Sequence, residues 1–364
     1  MRRYYAIDAM RCVLALWVAV GHAGVFPLFG AVGQSNGVLD FVARAFRTLV
    51  WGPPAVIVFF VISGFCIHYT FVERARPCPI VRFYARRYLR ILIPVAFTVA
   101  MFKILIPQTV IFGGDSILWH STLWSVLCEE IYYALYPVID RLRRRFSVGS
   151  ILTGAFAVAA PTAWLHSSGR DWQDLGILNT AVVLFPVWLL GCHLAGQVSS
   201  LQPTYSRRVM WGWRASVWAI MWAAEQLHFH GGLYQTQTAL CLGLVSYFWV
   251  RAEISYYKSR DPWPVLVRGG RWSYSLYLVH PLVIALCVGH DVLLDGSRLS
   301  SAGMLMLILT ASYLYYLAIE APSHGLARKI PLLDAGEPRQ DQPYVSRSGR
   351  AARVVLQSIK EPGT

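Results

Sequence analysis

Apolar residues fall in ten blocks along this chain, at 4–24, 54–72, 89–106, 122–139, 150–166, 177–195, 215–228, 235–250, 273–290 and 302–319. Each is near the length a helix needs to cross a hydrocarbon layer of roughly 30 Å. The pattern predicts an all-α, polytopic integral membrane protein with about ten transmembrane helices.

The first block breaks its own pattern. Asp8, Arg11 and His22 interrupt the apolar run from Tyr4 to Gly24, and a charged group near the bilayer centre costs at least a few kcal/mol. At about 100° per residue, the steps from Arg11 to His22 come within roughly 20° of three full circles, and Asp8 lies one turn earlier. The three therefore share a stripe, with Arg11 and His22 about 16 Å apart along the axis. A helix facing only lipid has no use for such a stripe. Arg2 and Arg3 ahead of this block give it the look of a signal peptide, but the cleavage signature is poor and a retained helix is expected.

Composition agrees with a lipid environment. Hydrophobic residues make up 56% of the chain and charged residues 14%, with mean hydropathy +0.46, whereas soluble domains carry about a quarter charged residues. The net charge of +14 is spread in short runs between apolar blocks, which argues against a nucleic-acid partner. The seven cysteines have neither metal-ligand spacing nor a disulfide framework, and no metal site is expected.

Those short basic runs also set an orientation. With the N-terminus in the cytoplasm, 27 of the 33 Lys and Arg fall on the inner side, and only Arg44, Arg47, Arg170 and Arg298 fall in outer loops. Basic residues favour the cytoplasmic side, so both termini are expected there. Residues 1–333 are expected to form the transmembrane domain and 334–364 a disordered basic cytoplasmic tail. Within 25–53, VLDFVARAFRTLVW has the spacing of an interfacial helix or of an ordinary surface helix.

Further polar sites interrupt later blocks. Glu129 and Glu130 lie near mid-depth in LWSVLCEEIYYALYP, where a carboxylate needs a partner or a proton. About 100° apart, at most one of them points straight at the stripe of the first helix; the alternative is a hydrated structural gap. Arg82, Arg86, Arg87 and Arg90 lead into the third block at helical spacing, suited to a polyanion or equally to lipid phosphates. His280 precedes Pro281, whose missing N–H frees a backbone carbonyl; a hydrogen-bonding role at the kink and a catalytic one are both open. Glu320 reads as a helix-terminal residue paired with arginines. No phosphate-binding glycine loop, metal cluster or nucleophile elbow is present.

Five segments, IDAMRCVLALWVAVGH, FFVISGFCI, RFYARRYLRILIP, LWSVLCEEIYYALYP and SYSLYLVHPL with YLAIEAP, together resemble the membrane-bound acyltransferase 3 family. The chain departs from it at Ala9, where glycine is frequent. The resemblance implies ten spans in the cytoplasmic (inner) membrane and an acyl-CoA donor, expected to be acetyl-CoA, used from the cytoplasm. It also implies O-acylation of a cell-surface or lipid-linked glycan, with no permanently bound cofactor; glycan-assembly proteins are candidate partners. By position, His22 takes the family's essential histidine, Arg11 its paired arginine, Arg87 and Arg90 its arginine motif, and Glu129 its glutamate. Arg86 is expected beside them at the donor, and Asp8, Trp124, Ser125 and His280 in support.

On this reading His22 is a general base on the sugar hydroxyl or carries a transient acyl group. Arg11 holds the donor or polarises its carbonyl, and Glu129 orients His22 or balances Arg11. The rival is a proton-coupled transporter or flippase for a lipid-linked sugar, which also needs ionisable groups at mid-depth. A non-catalytic scaffold for glycan assembly is a third reading.

Overall fold

The computed structural model describes residues 4–24, 48–72, 77–111, 117, 121–166, 171–293 and 297–332. The expected basic tail at 334–364 and residues 38–47 of the expected interfacial helix lie outside them. The described residues form helices and no strand. In chain order these are α1 Tyr5–Ala23, α2 Gly52–Tyr69, α3 Ile80–Leu105, α4 Leu123–Leu142, α5 Val148–Leu165 and α6 Ile177–Gln197. There follow α7 Arg207–Gly231, α8 Gln235–Tyr256, the short α9 Pro264–Gly269, α10 Ser273–Gly289 and α11 Arg298–Tyr315. A π-helical turn, Tyr316–Glu320, leads into α12, Ala321–Arg328.

A helix stands at each of the ten apolar blocks. Six stretches are long and apolar enough to cross a membrane: α1, α2, α3, α5, α6 and Leu299–Arg328. α10 is apolar but shorter. α4, α7 and α8 carry more polar residues, several of which are partnered within the protein. Arg214 of α7, for example, makes a bidentate pair with Glu253 of α8 at 2.7 and 2.9 Å, which suits a planar guanidinium facing a carboxylate. α3 starts nine residues before its apolar block because the arginine-rich stretch is itself helical.

α2 and α6 form the most extensive helix–helix contact among the described residues. A Cβ at Gly64 would sit 1.9 Å from the Trp188 carbonyl oxygen, and one at Gly191 would sit 2.0 Å from that of Val61. The two backbones touch through glycine, as expected where apolar helices associate by van der Waals contact. Beside this contact, Ser63 Oγ takes a hydrogen bond from Trp188 Nε1 and shares another with Tyr133 of α4. Gly191→Leu is expected to cost about 3 kcal/mol or more through overpacking. Thermal unfolding in detergent checks this against Gly196→Leu, where a Cβ meets nothing within 4 Å.

One end of α4 is pinned by Asp140, which is fully buried. It accepts from the backbone N–H of Cys78 and from Arg143 Nε, both at 2.8 Å, and Arg143 also donates to the Phe71 carbonyl. The RLRRR run therefore holds the α2–α3 connection as well as carrying charge.

Candidate active site

α1 places Arg11 in its second turn and His22 in its last. Opposite His22 stands His280 of α10, fully buried, one residue before Pro281. His22 Nδ1 lies 3.0 Å from His280 Nε2, and His280 Nδ1 lies 2.8 Å from the Leu276 carbonyl oxygen. The rings stack at 5.2 Å with 17° between their planes. These contacts have a direction. A carbonyl only accepts, so His280 carries its proton on Nδ1 and, with both rings neutral, presents the Nε2 lone pair. His22 then donates from Nδ1, and its own Nε2 keeps a lone pair. The Nε2 edge faces Gly52, where a Cβ would stand 3.7 Å away, and His22 is exposed.

Pro281 has the effect its chemistry dictates. It lacks the N–H that would bond to the Tyr277 carbonyl, and that carbonyl accepts from Thr122 Oγ1 instead, at 3.4 Å. Tyr277 OH returns a bond to the Thr122 carbonyl at 3.1 Å and lies 2.6 Å from Ser125 Oγ. The start of α4 is thus tied to the segment of α10 that carries His280. Trp124, buried beside Ser125, packs its ring against Phe60 of α2.

At the other end of α1, three cations converge. Arg11, Arg87 and Arg90 all lie within Coulombic reach of Cys66, and Arg11 and Arg87 lie within reach of Arg90. None of the three forms an ion pair among the described residues. The Arg87 guanidinium lies 4.5 Å from the centre of the Tyr133 ring, and Arg90 Nε donates to His324 Nε2 at 3.1 Å. Like charges repel, so holding three together without paired carboxylates describes a seat for an anion. Asp8 is buried one turn before Arg11.

Residues 4–318 match the family described as an acyltransferase domain, over most of the chain. The chain belongs to the acyltransferase 3 family. No curated protein and no solved structure matches it. With its apolar helices, this acyltransferase is a multi-pass membrane protein.

Two expectations change on this geometry. Glu129 is not the partner of His22: His280 holds the imidazole, and Glu129 reaches the Tyr133 hydroxyl one turn further along α4. Arg11 and His22 stay at opposite ends of α1, about 16 Å apart along an ideal helix axis. Glu320 is not a helix-terminal residue ion-paired to arginines, although Arg11 and Arg90 lie within Coulombic reach of it. It is buried in the π-turn and accepts from Ser275 N–H at 3.0 Å and Ser275 Oγ at 2.5 Å, capping the start of α10. A carboxylate suits that end of a helix dipole.

The acyltransferase brings Arg11, Arg87 and Arg90 together, and separately His22 with His280. Arg86 is half-buried. Both carboxylate oxygens of Glu130 are buried without a hydrogen bond among the described residues, with Arg87 and Tyr88 within Coulombic reach. Sequence reasoning missed Tyr277, Thr122 and His324. The i, i+4 spacing of Glu320 and His324 was the one available signal for the last.

Proposed function

We propose that this acyltransferase moves an acyl group, expected to be acetyl, from cytoplasmic acyl-CoA to a hydroxyl of a cell-surface or lipid-linked glycan. On this reading all ten long helices cross the cytoplasmic (inner) membrane and both termini face the cytoplasm, as the 27 inner-side basic residues favour. The observation that carries the reading is the placement of an anion seat and a directed imidazole pair at opposite ends of one helix. Coenzyme phosphates cannot enter hydrocarbon, so they dock at Arg11, Arg87 and Arg90, with Arg86 on the approach. The pantetheine arm then extends along α1 and carries the thioester toward His22.

There Nε2 of His22 takes the proton of the sugar hydroxyl while its oxygen bonds to the acyl carbonyl carbon. The carbon–sulfur bond breaks, and the proton passes from His22 to the departing sulfur. An imidazole suits both halves of this exchange, since it can take a proton and return it. His280 passes its own polarisation to the Leu276 carbonyl and keeps the His22 lone pair on Nε2.

The test is mass spectrometry of surface polysaccharide from cells with and without the gene. The expected result is a loss of one acyl mass per modified residue in cells lacking it; identical spectra would remove the proposed acceptor class.

A further inference from the structure

We propose that His324 is a positioning residue that holds Arg90 without an ion pair, so that its two terminal nitrogens face an incoming phosphate. The proposal rests on the donor reading above and adds to it the device that keeps the seat charged.

Most buried arginines pair with carboxylates, and such a pair both fixes the guanidinium and cancels its charge. Glu320 is close at hand and within Coulombic reach of both Arg90 and Arg11. Yet its Oε2 is taken by the N–H and hydroxyl of Ser275, and the contact to Arg90 is made by His324. An arginine Nε–H can only donate, so His324 Nε2 is the acceptor and bears no proton. It therefore has none to give Glu320 Oε1, 3.5 Å away, and that contact is no ion pair while Arg90 is bound.

The consequence is an orientation without a direct ion pair. A neutral imidazole occupies the inner edge of the guanidinium, leaving Nη1 and Nη2 with no hydrogen bond among the described residues. That outer edge is the fork that binds a phosphate with two parallel bonds. The π-turn at Tyr316–Glu320 explains how one helix supplies both side chains. Its wider turn aims Glu320 at α10, while α12 continues and carries His324 back onto α3. π-turns are frequent at functional sites. Ser323, buried and bonded to the Glu320 carbonyl, closes the bracket.

The full chain in detergent is titrated with coenzyme A, whose phosphates are common to all acyl-CoA donors. Arg90→Ala serves as the control for the donor reading. His324→Leu, which removes the acceptor, is expected to weaken binding about tenfold. His324→Gln, which keeps a neutral acceptor, should restore affinity to within about threefold of the native chain. His324→Glu offers a stronger acceptor but cancels the charge, and should bind coenzyme A at least as weakly as the leucine variant.

Unchanged affinity in His324→Leu, beside a loss in Arg90→Ala, would overturn the positioning role alone. Restored affinity in His324→Glu would also overturn it, since a merely structural contact is satisfied by either acceptor. Absence of coenzyme A binding by the native chain would remove the donor reading and this inference together. Thermal unfolding of each variant separates lost affinity from lost fold, and a folded glutamine variant with leucine-like affinity counts against the proposal.

Discussion

Replacing His22 with alanine is expected to lower the rate of acyl transfer by about 10²- to 10⁴-fold, the range a positioned acid–base group contributes. Among the described residues, no other group stands ready to substitute. The partner of His22 is His280, fully buried, with Nδ1 on the Leu276 carbonyl. Without His22, a hydroxyl near Gly52 would have to lose its proton to water. Stability should change little, because His22 is exposed in the last turn of α1 while the buried packing of that helix runs through Leu14, Trp17 and Val18. The measurement pairs initial rates with thermal unfolding of the same preparation, so that inactivity in a folded chain is the reported quantity.

His280→Leu is expected to lower kcat by about 10- to 100-fold, the scale on which loss of an orienting partner acts on a functional imidazole. Leucine fills the space but offers no lone pair to the Nδ1–H of His22, so the ring can rotate and exchange its proton between nitrogens. The fraction of His22 presenting Nε2 as base then falls. His280→Gln supplies a carbonyl oxygen able to accept from Nδ1 and should recover part of the loss. Because the pair sits far from the arginines, the KM for acyl-CoA should move less than kcat in both variants. An equal rise in KM would instead place His280 in donor binding.

How much of this was legible beforehand follows from which forces act locally. A helix stands at each of the ten blocks because length and apolarity are read residue by residue, and six stretches among the described residues are long and apolar enough to cross a membrane. The stripe of Asp8, Arg11 and His22 was readable for the same reason, being a property of one helix. What met His22 was not. His280 is 258 positions away, and the preference of the imidazole for it over Glu129 is decided by how α1, α4 and α10 pack. Pro281 signalled a freed carbonyl, and Thr122 was found beneath it, but nothing in the sequence named the donor. Glu320 was misread because an acidic residue before Pro322 looks like a helix end, whereas a π-turn carries the helix through it. The polar face of α4 likewise gave no sign that Glu130 would be left without a hydrogen bond while Glu129 turned to Tyr133.

The most direct test of the account reconstitutes the chain in liposomes with labelled acetyl-CoA and surface glycan from cells lacking the gene. The account predicts label transferred to glycan by the native chain, and transfer reduced at least about 10²-fold in a folded His22→Ala variant. Equal labelling by the two would contradict it.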